Sequence, residues 1–496
     1  MIARAASNAA PAPWLKKKQK MPGRTLFLLG SLLAFTTSTQ THASTAPATK
    51  LPATSVQMQT ELLSPAQLKA DVASLQQFIA ATHPDIRHSA DPAQLQQAFE
   101  QIEVQLTTAK SATEFWLLTA RLNPLFNDAH WSVNLPAAAA DLTALAKTSG
   151  LFPLEVQLRP DGELTVLAEA GGKKSRWQGA VIQQINGVSA AQIGRDLLAL
   201  RHGDTPLNRV NLLGPAFQLF YASKYGSPAQ YELALEQQGK LQTVTLPASR
   251  EISVIGKTPV SFADNFHYKA LAPQAAYMKI GSFDWEDDKA VAAFTKETFG
   301  KIKASGATTL IIDVRENRGG NDSVWIEHLL PYLADQAFRV GSFSRKKVIA
   351  SRASQAEPAG LVIDSEFKTW YPADLDHPLR FQGQVFVLIG RRTYSSAVQF
   401  SNVMQDFGFA TLVGEGSYVR SRSTGGIQFY QLPHSKLQII VPRFWAARPS
   451  GGSTAQLLTP DWLLPDDVQN PDALIDAVVG AVAAKQQRLI AAKTRL

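Results

Sequence analysis

The sequence predicts an α/β core preceded by an N-terminal helical region and a small α+β domain. Three observations carry this prediction. From about Asp264 onward, apolar strand patterns ("AAYMKIGSF", "TTLIIDVR", "QVFVLIG", "ATLVGE") alternate with helical ones ("DDKAVAAFTKETFGKIKAS", "NDSVWIEHLLPYLAD", "SSAVQFSNVMQDFG"). Continuous apolar strands between helices argue for a largely parallel sheet covered on both faces. Between residues 150 and 250 apolar and polar residues alternate around turn signals, as in hairpins. Ahead of that stretch, apolar residues recur at helical spacing.

In chain order, residues 1–43 carry Arg4, Lys16, Lys17, Lys18, Lys20 and Arg24, no acid, and the apolar run "TLFLLGSLLAFTT". A basic start, an apolar run too short to span a bilayer comfortably, and the small residue Ala43 read as a secretory signal peptide. Residues 44–61, rich in Ala, Thr, Ser and Pro, read as a flexible linker. The helical region covers 62–137, where "SPAQLKADVASLQQFIAATHP" sets Leu68, Val72, Leu75, Phe78 and Ile79 at helical spacing, opens on Ser-Pro and stops at Pro84. "DPAQLQQAFEQIEVQLTTA" and "SATEFWLLTARLNPLF" give two further helical patterns. Over 148–250, "FPLEVQLRPDGELTVLAEA" forms a hairpin about Asp161-Gly162. "GAVIQQINGVSAAQIGRDLLAL" then gives a strand, an Asn186-Gly187 turn and a helix, and "QYELALEQQGKLQTVTLPA" a second strand pair. The α/β core occupies 262–485.

The formal charge of +8 invites a nucleic-acid reading, but its distribution removes it. Without the six leader cations, 43 of the 49 basic residues face 41 acidic ones, a balance of +2. The body therefore has no electrostatic case for nucleic acid. No other apolar run approaches the roughly 18 residues of a membrane helix, so no stable membrane insertion is expected after signal cleavage, and the expected location is periplasmic or secreted. The absence of cysteine excludes disulfides, thiolate metal sites and a Cys nucleophile.

The chemistry-bearing segments lie where core strands end. In "QVFVLIGRRTYSSAVQFSNVMQDFG" two serines stand between a buried strand and a helix. Ser is an ordinary N-cap, yet this is also where a hydroxyl is presented at the top of a sheet, with helix N-terminal amides nearby for a developing oxyanion. In "LIIDVRENRGGND" a strand ends at Asp313 and turns through Gly319-Gly320. Paired glycines let backbone approach a substrate closely and offer an N–H to an oxyanion hole. Neither phosphate-loop pattern occurs here. His83, His88 and Glu327-His328 form no H-E-x-x-H or other credible ligand spacing, so no metal or cofactor is expected.

"LIIDVRENRGG" and "TYSSAVQFSNVMQDFGFATLVGE" together resemble the strand-loop and nucleophile segments of the tail-specific, or C-terminal-processing, serine protease family. Its relatives include the tricorn core and the interphotoreceptor retinoid-binding repeats. "LPHSKLQIIVP" and "LLTPDWLLPDD" resemble late elements of the same family, with His434 in place of the usual Asn. The resemblance implies a core of ClpP/crotonase type and a PDZ-like identity for residues 148–250, whose "INGVS" matches. It places the nucleophile at Ser395, with an oxyanion hole from Gly319, Gly320 and the N–H of Ser396.

The base departs from the processing branch, whose Lys lies roughly twenty-five residues after the Ser. Arg420 stands there in this sequence, and a guanidinium stays protonated. "FNDAHWSV" resembles the element that holds the base His in the branch lacking that Lys, which makes His130 the candidate general base. Ala129 stands where the tricorn pattern has a serine, and no acid precedes Asp461 in "GGSTAQLLTPD". The third member is thus hidden; the candidates for an orienting acid are Asp128 and Glu415, each with a structural role as the alternative. The expectation is an exported serine peptidase acting on peptide or protein substrates, with strand addition to the PDZ-like domain. The alternative is a catalytically inactive peptide- or ligand-binding protein that keeps the fold.

Overall fold

A computed structural model of the chain describes residues 61–493, apart from 160, 256, 258–260, 272–273, 417, 453–455 and 469. The signal peptide and most of the linker expected over 1–61 lie outside the described residues. Residues 62–496 form one compact unit. Among the described residues no helix is long and apolar enough to cross a membrane.

The core is a six-stranded sheet in the order Trp462–Leu463, Thr411–Gly414, Gln384–Leu388, Thr309–Asp313, Ala275–Ile280 and Phe266–Leu271. Every neighbouring pair is parallel except the last, as the alternation of strands and helices predicts. Leu310, Ile312, Val385 and Val387 are buried on one face with Phe400, Val403 and Met404 of the helix Ser396–Asp406. Ile311, Phe386 and Leu388 are buried on the other with Leu474, Ile475 and Val478 of the helix Asp472–Lys493.

Register places the site. Thr309–Asp313 and Gln384–Leu388 run side by side with Asp313 opposite Leu388. The loops that follow must therefore leave the same edge of the sheet together, which brings "RGG" beside "TYSS". Ligand sites form in this position in open α/β sheets.

Residues 154–247 form a separate six-stranded antiparallel sheet with Leu154–Leu158 at one edge and the two-residue strand Val188–Ser189 paired off the main path, and the helices Ala190–Leu198, Pro206–Leu213 and Phe217–Tyr225 accompany it. Its turns are where the sequence places them: Leu158 pairs with Leu164 across Gly162, and Ile185 with Val188 across Asn186-Gly187, both at positive φ. The helical pattern at 111–126 is an α-helix only over Ala112–Thr119 and tightens to a 3-10 turn at Ala120–Leu125, which contains Pro124. The pattern at 321–335 breaks at Leu329 into Asp322–His328 and Leu330–Leu333, because Pro331 has no N–H to continue the ladder.

A third sheet links distant segments. Ser132–Asn134 and Gln428–Gln431 both pair antiparallel with Gln438–Val441, one on each side. The two outer strands therefore run in the same direction, and the residues just ahead of them, His130 and Thr424, arrive at the same end. Asp71 of the first helix strengthens this join by accepting the backbone N–H groups of His434 and Ser435 at 3.0 and 2.7 Å.

Candidate active site

Ser395 occupies the N-cap position of the helix Ser396–Asp406 but makes no side-chain capping bond. Its backbone sits at φ 54°, ψ −121°, a conformation that costs a non-glycine residue on the order of 1–3 kcal/mol. Surrounding bonds hold it there. Thr393 Oγ1 accepts the N–H of Gly390 at 2.9 Å and donates to the Val314 carbonyl at 2.8 Å, and the Tyr394 N–H donates to the Asn317 carbonyl at 3.0 Å. Ser395 is partly exposed, whereas Ser396 is 1% exposed and committed. The Ser396 hydroxyl donates to Asp322 Oδ1 at 2.5 Å and accepts the Trp325 indole N–H at 3.0 Å. Of the two serines, only Ser395 is available to react.

The paired glycines meet this turn closely. A Cβ on Gly319, at φ 97°, would lie 2.6 Å from Ser395 Cβ and 2.8 Å from the Ser396 nitrogen. A Cβ on Gly320 would lie 2.1 Å from the Phe283 carbonyl carbon. Only glycine fits either position. Their predicted roles diverge, however. The Gly319 N–H donates to Asn317 Oδ1 at 2.8 Å and is not free for an oxyanion, which corrects its assignment as a donor. Gly320 is exposed, and among the described residues its N–H and that of Ser396 make no hydrogen bond.

His130 meets this turn through Tyr394, whose ring centroid lies 4.7 Å from the imidazole. The His130 N–H donates to Asp128 Oδ1 at 2.8 Å. His130 Nδ1 lies 2.9 Å from Thr424 Oγ1, and the Thr424 hydroxyl donates to Asp128 Oδ1 at 2.8 Å. A hydroxyl has one proton. Because Thr424 gives that proton to the carboxylate, it accepts from Nδ1–H, which leaves Nε2 as the basic nitrogen. Burial lowers the pKa of His130 to about 4, against a smaller opposing effect of the Asp204 charge.

Two buried carboxylates support the histidine. Burial raises the pKa of Asp128, opposed by bonds from the His130 N–H and the Thr424 and Ser89 hydroxyls and by the charge of Arg420. Burial and the charge of Asp128 raise that of Asp204. Asp204 Oδ1 accepts the Tyr394 hydroxyl and the Ala129 N–H, each at 2.8 Å, and Oδ2 accepts the Arg420 N–H at 3.0 Å. Asp204 thus ties the His130 turn to the Ser395 turn. The Arg420 guanidinium donates from Nη1 to the His88 carbonyl at 2.8 Å.

Glu415 is corrected as an orienting acid. Its carboxylate is held by Arg391 Nη2 at 2.6 and 2.8 Å, by the Tyr418 hydroxyl and by the Asp466 N–H at 3.0 Å, and it makes no bond to His130. Asp128 reaches the imidazole through Thr424. Sequence reasoning missed Thr424, Asp204 and Tyr394. Thr424 lies 294 residues from His130, and its only signal is that it precedes a strand sharing a partner with the strand after His130. Among the described residues Ser395 makes no hydrogen bond to His130. Catalytic contacts of this kind often tighten only when substrate binds.

A strained serine at a strand-to-helix turn, two unoccupied N–H donors and an imidazole oriented through Nδ1 are groups of the kinds that acyl transfer uses. Residues 274–464 match the model of Peptidase family S41. The chain carries an S41 domain. The matched segment runs from the strand Ala275–Ile280 to Leu464 and contains Gly319, Gly320, Ser395, Ser396 and Thr424, while His130 and Asp128 lie outside it. No curated protein matches the chain. Among solved structures, mature CPAF complexed with lactacystin is 14% identical, with a TM-score of 0.56 over 84% of this chain and 98% of that one. A CPAF mutant is 13% identical, with a TM-score of 0.58 over 82% and 94%. At such identities the likeness establishes a shared fold that extends well beyond the S41 segment.

Proposed function

We propose that this protein is an exported serine peptidase that hydrolyses peptide bonds through an acyl-enzyme on Ser395, with His130 as general base. The observation that carries the reading is the chain from Asp128 through Thr424 to His130 Nδ1, which leaves Nε2 basic on an imidazole packed against Tyr394, the residue before the strained Ser395. Ser395 Oγ attacks the scissile carbonyl carbon as its proton passes to Nε2. The oxyanion takes hydrogen bonds from the Gly320 and Ser396 N–H groups. The C–N bond then breaks, His130 returns the proton to the leaving amine, and water repeats the sequence on the acyl-enzyme. No cofactor is required.

Substrate reaches this site by adding a strand to the PDZ-like domain. A cavity of about 440 Å³ borders that domain, although neither Ser395 nor His130 lines it. It runs from the edge strand Leu154–Leu158 and Val210 to Arg391, Arg392 and Asp466. Export rests on the basic and apolar leader in residues 1–43, and the core is read as ClpP/crotonase-like. The catalytically inactive binding protein is the competing reading. A fluorophosphonate probe separates them: wild type labels and Ser395→Ala does not. Equal labelling of both, or none of wild type, favours the binding protein.

A further inference from the structure

The two free N–H donors belong to different loops. Gly320 follows the strand Thr309–Asp313, and Ser396 follows Gln384–Leu388. An oxyanion hole requires these donors at one fixed separation, because stabilisation depends on aiming both at the same oxygen. Parallel register brings the loops together, but a shared sheet edge leaves the loop tips free to shift. The side chain that links the tips is Asp322.

Asp322 opens the helix Asp322–His328, two residues after Gly320. Its Oδ1 accepts the Ser396 hydroxyl at 2.5 Å and the Trp325 indole N–H at 3.3 Å, and that indole also donates to Ser396 Oγ at 3.0 Å. The three groups close a ring in which the Ser396 hydroxyl has both a donor and an acceptor. Trp325 is fully buried and packs near Phe400 of the nucleophile helix, so the ring stands on a rigid base. On the other side, Asn321 donates its N–H to the Phe283 carbonyl at 2.9 Å, and the Phe283 N–H donates to the Gly319 carbonyl at 3.0 Å. Gly320 is thereby fixed to Phe283, and Ser396 to Asp322, within one short segment.

We infer that Asp322 is a positioning residue for the oxyanion hole: by gripping the Ser396 hydroxyl it sets the Ser396 N–H against the Gly320 N–H. This inference rests on the serine peptidase reading and assigns a task to an acid that the reading otherwise leaves unused. The role needs an acceptor on the side chain and does not need its charge. Burial raises the pKa of the Asp322 carboxyl, with the bonds from Ser396 and Trp325 opposing. A negative charge beside a developing oxyanion would work against catalysis, whereas an acceptor that shapes the turn would not.

Asn keeps that acceptor and Ala removes it, so Asp322→Asn and Asp322→Ala separate the two roles. The second-order rate of fluorophosphonate labelling should fall about ten- to a hundredfold in Asp322→Ala, part of the cost of losing an oxyanion donor. It should stay within about threefold of wild type in Asp322→Asn, with binding of fluorescein-labelled casein unchanged in both. Amide exchange read by mass spectrometry should quicken over residues 394–397 in Asp322→Ala and stay as in wild type in Asp322→Asn. Asp322→Ala that labels at the wild-type rate, or Asp322→Asn as impaired as Asp322→Ala, overturns the inference. If wild type does not label, the peptidase reading fails, and amide exchange alone decides whether Asp322 positions the turn: equal exchange in wild type and Asp322→Ala rejects it.

Discussion

Thr424→Val tests the relay behind His130 while leaving the imidazole and the nucleophile in place. Val has nearly the shape of Thr but no hydroxyl. The change removes the 2.9 Å contact to His130 Nδ1 and the 2.8 Å bond to Asp128 Oδ1 together. Asp128 keeps the His130 N–H at 2.8 Å and Ser89 at 3.3 Å, but Nδ1–H and one carboxylate position lose their partner in a buried setting. Each buried group left unsatisfied costs about 1–3 kcal/mol, so stability should fall by about 2–6 kcal/mol. Catalysis should suffer separately. With no acceptor for Nδ1–H, nothing selects the tautomer with a free Nε2, and the loss of that selection in a catalytic triad costs up to about 10⁴-fold. Fluorophosphonate labelling of protein shown to be folded by its melting transition should fall at least a hundredfold. Thr424→Ser, which keeps the hydroxyl, should stay within about tenfold. Wild-type labelling by Thr424→Val would refute the relay.

Acid sensitivity follows from the buried histidines. Burial lowers His83 and His88 to about 3 and His130 to about 4, from 6.5 when exposed. Between those values the unfolded chain binds more protons, so stability falls as pH falls below about 6.5. The raised carboxyls Asp128 and Asp204 act oppositely, contributing stability that is lost as pH rises. His202 is also held well below its ordinary value by burial, so four lowered histidines outnumber these two carboxyls. Unfolding free energies from urea titrations between pH 7 and 4 should therefore fall by more than the roughly 1.4 kcal/mol per pH unit of a single proton over part of the range, and a flat profile would contradict the histidine burial. The acid limb of the labelling rate should titrate near 4, and a limb at 6.5 would show His130 to be solvated. Gly319→Ala places a Cβ 2.6 Å from Ser395 Cβ; it should abolish labelling and cost at least about 2 kcal/mol in a denaturation curve. Glu415→Gln should weaken the Arg391 pair and lower the melting temperature while labelling of folded protein stays near wild type.

Local pattern made the parallel core legible, because each strand and helix declares itself within a dozen residues and register follows from packing. The meeting of Ser395 with the two glycines was legible for the same reason, since they follow the ends of neighbouring strands. What sequence could not supply was pairing across long separations. Asp128 acts on His130 through Thr424, and the two meet only because Ser132–Asn134 and Gln428–Gln431 flank one strand. Glu415 looked equally available until its lone pairs proved to be taken by Arg391 and Tyr418. Gly319 was read as an oxyanion donor because nothing in "RENRGG" reveals that the Asn317 side chain claims its N–H.

The most direct test of Ser395 and His130 as nucleophile and base is a crystal structure of the protein reacted with a peptide boronate. The predicted result is a tetrahedral adduct on Ser395 Oγ, with one boronate oxygen about 2.7–3.1 Å from the Gly320 and Ser396 nitrogens and His130 Nε2 within hydrogen-bond reach of the adduct. A boronate bound without a bond to Ser395, or an adduct that leaves His130 out of reach and both N–H groups unoccupied, would contradict the account.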